Sequence, residues 1–239
     1  MRRDHRSPDA PRSVEVESGF IPGIASSVRF HCGGTTVLSV ATLEEGTPRW
    51  KNDASGWATA DYHMMPYSVE PRLDRAGTGM QDGRAIEIRR LIGRAVRSGL
   101  DLSLMPGYTI RIDCDVLGAD GGTRTACINA TAVALGILVE ENLANGVFAT
   151  DPRRAVVLAM SAGIHDNQIL IDLDYPEDIA ASVDLNLVGT STGDVIEVIG
   201  GCEDGPITMD TLQKVIAAAQ DGIVQLSEML GDQIYPVSS

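Results

Sequence analysis

Lysine is almost missing from this chain of 239 residues: of 19 lysines and arginines, only Lys51 and Lys214 are lysines. Lysine dominates many plain solvated surfaces, whereas arginine's planar fork is the better residue for bidentate phosphate contacts. The cations here are therefore of the kind that recognises geometry. Aromatic residues make up only 4% of the chain while glycine occurs 25 times, so small residues must fill much of the interior. The four cysteines, Cys32, Cys114, Cys127 and Cys202, form no C-x-x-C pair, and three lie in or beside apolar runs. That pattern predicts buried free thiols and a reducing, cytoplasmic setting. Residues 1–12 contain no apolar stretch of the signal-peptide kind, and no run reads as the roughly 20 apolar residues of a membrane span. Neither secretion nor a membrane partner is expected.

Catalytic signatures are also missing. No P-loop, no G-x-S-x-G and no dinucleotide fingerprint occurs, and the four histidines make no metal-ligand pair, which excludes the hydrolase triads and dinucleotide enzymes that carry those motifs. The net charge of −14 argues against a diffuse electrostatic grip on nucleic acid, since phosphate neutralisation supplies most non-specific affinity. Where the arginines sit then matters more than their number.

What is present reads as an α+β chain. Val28 to Leu43 predicts a hairpin turning at Gly33-Gly34, Trp57 to Met64 a further strand, and Pro66 to Gly83 a mobile surface loop. Arg84 to Ser98 places Ile86, Leu91, Ile92, Ala95 and Val96 at helical spacing with Arg89, Arg90, Arg94 and Arg97 between them, an amphipathic helix with a basic face. Gly107 to Leu117 alternates as a half-buried strand, and Arg124 to Glu141 is a helix apolar on most sides. Strands follow over Ala155–Ile164 and Gln168–Leu173, turning at Asp166-Asn167, then near Asp184–Val188 and Val195–Gly200. A last helix spans Met209–Met229 after Thr208, a capping residue. Two βαβ-like halves, each closing with a helix and joined without a linker, predict one domain over residues 1–239.

Three places hold candidate chemistry. Gly118 to Thr125 is a glycine-rich turn leading into a helix, where Gly122, Thr123 and Arg124 offer amide, hydroxyl and guanidinium donors to an anion; a plain strand-to-helix turn with a threonine cap explains it too. Arg84 opens the basic-faced helix and would converge with Arg124 on one phosphate, although the other arginines of that face suit mere solvation. Asp172, Asp174, Glu177, Asp178 and Asp184 form an acidic cluster able to hold Mg²⁺ or supply a general acid, or simply to solvate a loop.

Five stretches in order along the chain raise the stakes of these features: Arg6-Ser7-Pro8-Asp9 near the start, Gly56 to Tyr62 (GWATADY), Arg84 to Arg94 (RAIEIRRLIGR), Asp113 to Thr125 (DCDVLGADGGTRT) and Asp172 to Asn186 (DLDYPEDIAASVDLN). Together they resemble the ribonuclease PH family over nearly the whole length. The resemblance implies a ribosomal protein S5 domain 2-like fold, a homo-oligomer in the form of a hexameric ring, and phosphorolytic trimming of RNA 3′ ends, typically of a tRNA precursor, with inorganic phosphate as co-substrate and Mg²⁺. It further implies that Arg84, Gly122, Thr123 and Arg124 bind phosphate, that Asp178 and Asp184 are the catalytic and metal-binding carboxylates, and that Arg72, Arg75 and Arg90 face the RNA.

One segment departs from the family. Its members approach the helix through Lys-Gly-Lys-Gln-Gly-Gly-Arg, whereas this chain reads Thr78-Gly79-Met80-Gln81-Asp82-Gly83. Each lost cation removes roughly one counterion's worth of salt dependence from RNA binding. Two rival readings follow: phosphorolysis of a small nucleotide or nucleotide conjugate, and a catalytically silent ring subunit, the latter requiring lost core residues that are in fact retained.

Overall fold

The computed structural model of the chain describes residues 2–74 and 83–234. Arg75 and the lysine-depleted approach to the basic helix thus lie outside the described residues, and with them nearly half of the expected surface loop. Two sheets and four helices make up the rest.

The first sheet holds β1 (Val14–Ser18), β2 (Ser27–Cys32), β3 (Thr35–Glu45), β4 (Trp57–Met64) and β5 (Tyr108–Gly118), ordered β1-β2-β3-β5-β4. β2 and β3 are the predicted hairpin, with Cys32 opposite Thr35 and Gly33 at φ 56° in the turn, a conformation glycine adopts without strain. β4 and β5 run parallel, Tyr62 opposite Cys114. The crossover between them is α1 (Gly83–Ser98), so this half contains a βαβ unit. β1 escaped the sequence reading because only Val14 and Val16 mark it and both its faces meet water.

α2 (Thr123–Ala144) leaves β5 through the glycine-rich turn and packs on β2 and β3 on one side and on β6 (Val157–His165) on the other. Among the described residues it is the one helix long and apolar enough to cross a membrane. Its side chains are instead consumed by the two sheets: Ala126, Cys127, Ala130, Val133, Ala134 and Val139 are all buried. The single buried amide on this helix is matched in kind. Asn129 Nδ2 donates to the Ala159 carbonyl at 3.0 Å, and Asn129 Oδ1 accepts from the Ala159 amide at 2.8 Å. This satisfies part of β6 that β7 (Gln168–Ile171) does not reach, because β7 pairs only with Ala162–His165. Buried backbone groups need such partners.

The second sheet is ordered β7-β6-β8-β9, with β8 at Val183–Thr190 and β9 at Val195–Cys202. Asp166 and Asn167 both take positive φ, 49° and 60°, in the two-residue turn between β6 and β7, as the hairpin twist demands. α4 (Met209–Leu230) opens at Thr208, whose hydroxyl accepts from the Thr211 amide at 3.1 Å, and covers this sheet through Val215, Ala219, Ile223 and Leu226. One continuous core runs through both sheets.

The sequence reading also passed over α3 (Tyr175–Ala180), six residues between β7 and β8. Asp174 is its N-cap, accepting from the Glu177 amide at 3.0 Å while the Asp174 amide donates to Glu177 Oε2 at 3.0 Å, and Pro176 sits in the first turn. This reciprocal box stabilises a helix too short to hold itself. It fixes where Asp178 stands.

Candidate active site

β5 ends at Gly118, and the chain turns through Asp120, Gly121 and Gly122 into α2. Gly121 and Gly122 take φ of 78° and 64°. A Cβ on Gly121 would stand 2.6 Å from the Asp174 carbonyl carbon and from the Leu173 oxygen, so the turn lies directly on the backbone that launches α3. Gly122 is the N-cap of α2 and brings no capping side chain; the first-turn amides there form the positive end of a 22-residue helix. Thr123 and Arg124 are its first two residues.

Into this corner come side chains from four elements. Arg84 projects from the first turn of α1, Arg124 from that of α2, Asp178 from α3 and Asp184 from β8. Burial, with Asp178 beside it, pushes the Asp184 carboxyl up to about 6 against the opposing pull of Arg124 and Arg84. Asp178 is likewise raised by burial and held back by Arg124 and Arg84. Both arginines therefore act on both carboxylates. Arg124 also meets Glu87 at 3.6 Å. Asp184 Oδ1 is shut off from solvent and has no hydrogen-bond partner among the described residues, an unusual condition for a buried acceptor.

The remaining acidic residues of the cluster are spoken for. Asp172 pairs with Arg12 at 2.6 Å, Glu177 with Arg2 at 2.8 Å, and Asp174 with Arg3 at 2.8 Å, while Arg3 also reaches Asp120 at 2.7 Å. Burial works against the Asp172 charge, but Arg12 outweighs it and keeps the carboxyl low. These pairs bind the N-terminal segment across the glycine turn and α3: Arg12 Nη1 donates to the Asp120 carbonyl at 2.8 Å. Nothing in the spacing of the sequence announces that Arg2, Arg3 and Arg12 hold these acidic residues.

Of the residues expected to face RNA, Arg72 and Arg90 are exposed, and no contact joins either to Asp178 or Asp184 among the described residues. Arg90 lies six residues along α1 from Arg84, about 9 Å of helix. It lines an open groove with Trp50, Trp57, Arg89, Arg94 and Arg97. Much of that basic face is locally neutralised: Arg94 pairs with Glu197, Arg89 meets Asp61 at 3.3 Å, and Arg97 lies 4.5 Å over the Trp57 ring. Solvation and packing, the plain explanation of this face, account for most of it.

Residues 10–138 match the 3′ exoribonuclease family, domain 1, and residues 155–222 match domain 2 of that family. Ribonuclease PH of Neisseria meningitidis serogroup C is 42% identical over 228 residues, covering 94% of this chain and 93% of its own. The Neisseria gonorrhoeae enzyme of the same name is 41% identical over 226 residues, with coverages of 94% and 93%. Among solved structures, a chain of the Archaeoglobus fulgidus exosome with RNA bound to the active site superposes with a TM-score of 0.80 at 19% identity, over 96% of this chain and 92% of that one. Rice (Oryza sativa) Rrp46 gives 0.76 at 21% identity, over 97% and 100%. At such identities these two structures speak to the fold alone.

Proposed function

The chain belongs to the ribonuclease PH family of 3′ exoribonucleases, and from this premise we propose how its residues divide the work. The protein is a phosphorolytic 3′ exoribonuclease: inorganic phosphate attacks the 3′-terminal phosphodiester of RNA, and a nucleoside diphosphate leaves. The observation that carries the reading is that two arginines at two helix starts act on the same two half-buried carboxylates. In-line transfer between phosphorus centres needs positioning and charge neutralisation more than covalent help.

Arg124 and Arg84 neutralise the incoming phosphate, and Thr123 and the amides after Gly122 fix its orientation. A phosphate oxygen forms the new bond to the terminal phosphorus, and the bond to the penultimate 3′ oxygen breaks. That oxygen needs a proton. Asp184, pushed to about 6, holds one in a useful fraction of molecules near neutrality and suits the role of donor; the attacking phosphate carries a proton with which the carboxyl is recharged. Asp178 keeps negative charge beside it.

The donor set fits Mg²⁺. Among the described residues no group of three or more His, Cys, Asp or Glu is gathered for a metal, yet Mg²⁺ commonly takes only one or two carboxylates and completes its shell with water and substrate phosphates. Asp178 would hold it, joined by the unpartnered Oδ1 of Asp184 in the molecules where that carboxyl is ionised and so does not act as the proton donor. Once bound it would draw charge from the scissile phosphoryl oxygens.

Site residues come from both family domains, Thr123 and Arg124 from the first and Asp178 and Asp184 from the second, which supports treating the chain as one working domain. The same family reading assigns a tRNA precursor 3′ end as substrate, a nucleotidyltransferase reaction, a hexameric ring and a cytoplasmic setting. To test the activity, the purified chain is incubated with a 3′-extended tRNA, phosphate and Mg²⁺. Nucleoside diphosphates are expected from the wild type and not from Asp184→Asn; no product from either overturns the proposal. A light-scattering mass tests the ring.

A further inference from the structure

Tyr62 is a buried polar residue that the reaction as described leaves unused. Alternation along β4 turns Ala58, Ala60 and Tyr62 toward the core, and Tyr62 is only 4% exposed. Its ring packs in that core, but its hydroxyl reaches the start of α2, where it lies 3.1 Å from Thr123 Oγ1. Arg84 and Arg124 both act electrostatically on the same phenol. The oxygen of Tyr62 therefore stands where the phosphate-binding side chains meet.

Hydrogen-bond accounting gives this contact a direction. A guanidinium has donors and no acceptor, so neither arginine is able to take the Tyr62 proton. Burial holds the phenol well above its ordinary pKa, so the oxygen keeps a proton to donate. Thr123 Oγ1 is the acceptor within reach. Once that lone pair is occupied, the threonine's own proton is free to rotate toward an anion at the helix start. The Thr123 hydroxyl makes no other hydrogen bond among the described residues.

We propose that Tyr62 is a positioning residue for phosphate: its hydroxyl donates to Thr123 Oγ1 and commits the Thr123 proton to the attacking phosphate. The inference rests on the phosphorolytic reading for the identity of the anion. It adds a residue from β4 to a site otherwise built from α1, α2, α3 and β8. Phenylalanine at this position keeps the ring and its packing and removes only the oxygen, so the experiment is clean.

Two measurements on the full chain test it. The first needs no turnover: the rise in melting temperature is followed as inorganic phosphate is titrated, with Tyr62→Phe expected to shift the half-effect concentration upward about three- to tenfold, the worth of one neutral hydrogen bond. The second is steady-state phosphorolysis at saturating RNA, where the same factor should appear in the KM for phosphate, with kcat and the KM for RNA within about twofold of wild type. A merely structural role would lower the melting temperature without moving phosphate affinity. In a Thr123→Val background, Tyr62→Phe should add nothing further, because the tyrosine acts through the threonine. Unchanged phosphate affinity in Tyr62→Phe, or an equal loss in both backgrounds, overturns the inference. If the wild type releases no nucleoside diphosphate while the phosphate titration still separates Tyr62→Phe from wild type, the exoribonuclease reading fails and the positioning role stands.

Discussion

Replacing Asp184 by asparagine should make the protein more stable as it removes the activity. The carboxyl sits at about 6 against an ordinary 3.8, so folding costs free energy whenever the group is ionised in the unfolded chain. A gap of about 2 corresponds to roughly 3 kcal/mol; solvent still reaches the half-buried side chain, and a discounted figure of about 1–2 kcal/mol is the working expectation. The sign follows from linkage. Above pH 6 both states of the wild type are ionised and the folded state bears the penalty; below pH 4 both are protonated and there is none. Asparagine, neutral at every pH, is free of it throughout. The variant should therefore exceed the wild type by about 1–2 kcal/mol at pH 8, with the advantage shrinking as pH falls from about 6 toward 4. For a chain of this size that is roughly 2–8 °C in melting temperature. Thermal and urea unfolding at pH 8 and pH 4.5, at matched protein concentration and without phosphate or divalent metal, read it directly. A variant no more stable at pH 8, or equally advantaged at both pH values, refutes the claim that burial and Asp178 strain this carboxylate.

Arg124→Ala should raise the phosphate concentration needed for half-maximal phosphorolysis by about 10- to 100-fold, the worth of a charge-assisted hydrogen bond; no change would remove Arg124 from phosphate binding. Gly121→Ala forces a Cβ into a φ of 78° and to within 2.6 Å of the Asp174 and Leu173 backbone, so denaturant unfolding should show a loss of about 2–4 kcal/mol. Asp172→Asn leaves Arg12 buried with its countercharge gone and should cost about 3–5 kcal/mol by the same assay, whereas a loss below 1 kcal/mol would mean that the N-terminal segment is not anchored by this pair.

Much of the fold was legible because long elements advertise their period. The helix expected from Arg84 to Ser98 runs Gly83–Ser98, and the expected start of the last helix at Met209 after Thr208 is where it begins. The hairpin turns at Gly33-Gly34 and Asp166-Asn167 fell where positive φ is tolerated. Short elements escaped for the converse reason. Six residues give no helical period, so the sequence assigns no element to α3, although Asp174, Pro176 and Glu177 spell a capping box that a search for caps alone finds. Within the site, Gly122, Thr123 and Arg124 were visible as a glycine turn feeding a helix. Tyr62 was not, since a tyrosine on the buried face of a strand looks like packing until the neighbour of its hydroxyl is known.

The acidic cluster shows why composition alone was ambiguous there and geometry was not. Asp172, Asp174, Glu177, Asp178 and Asp184 are chemically alike in sequence, and any pair of them would serve to hold a cation or pass a proton. In the folded chain the first three are each matched by an arginine of the N-terminal segment, at 2.6 to 2.8 Å. That matching holds their charge in place and ties α3 to the glycine turn. Asp178 and Asp184 face Arg124 and Arg84, which act on both carboxylates, and both stay above the ordinary carboxylate value. A buried carboxylate left short of neutralising partners is costly to keep. The pairs that Arg2, Arg3 and Arg12 make hold the surrounding backbone in place against that cost, which leaves a raised proton site at Asp184 beside two cations at the start of α2.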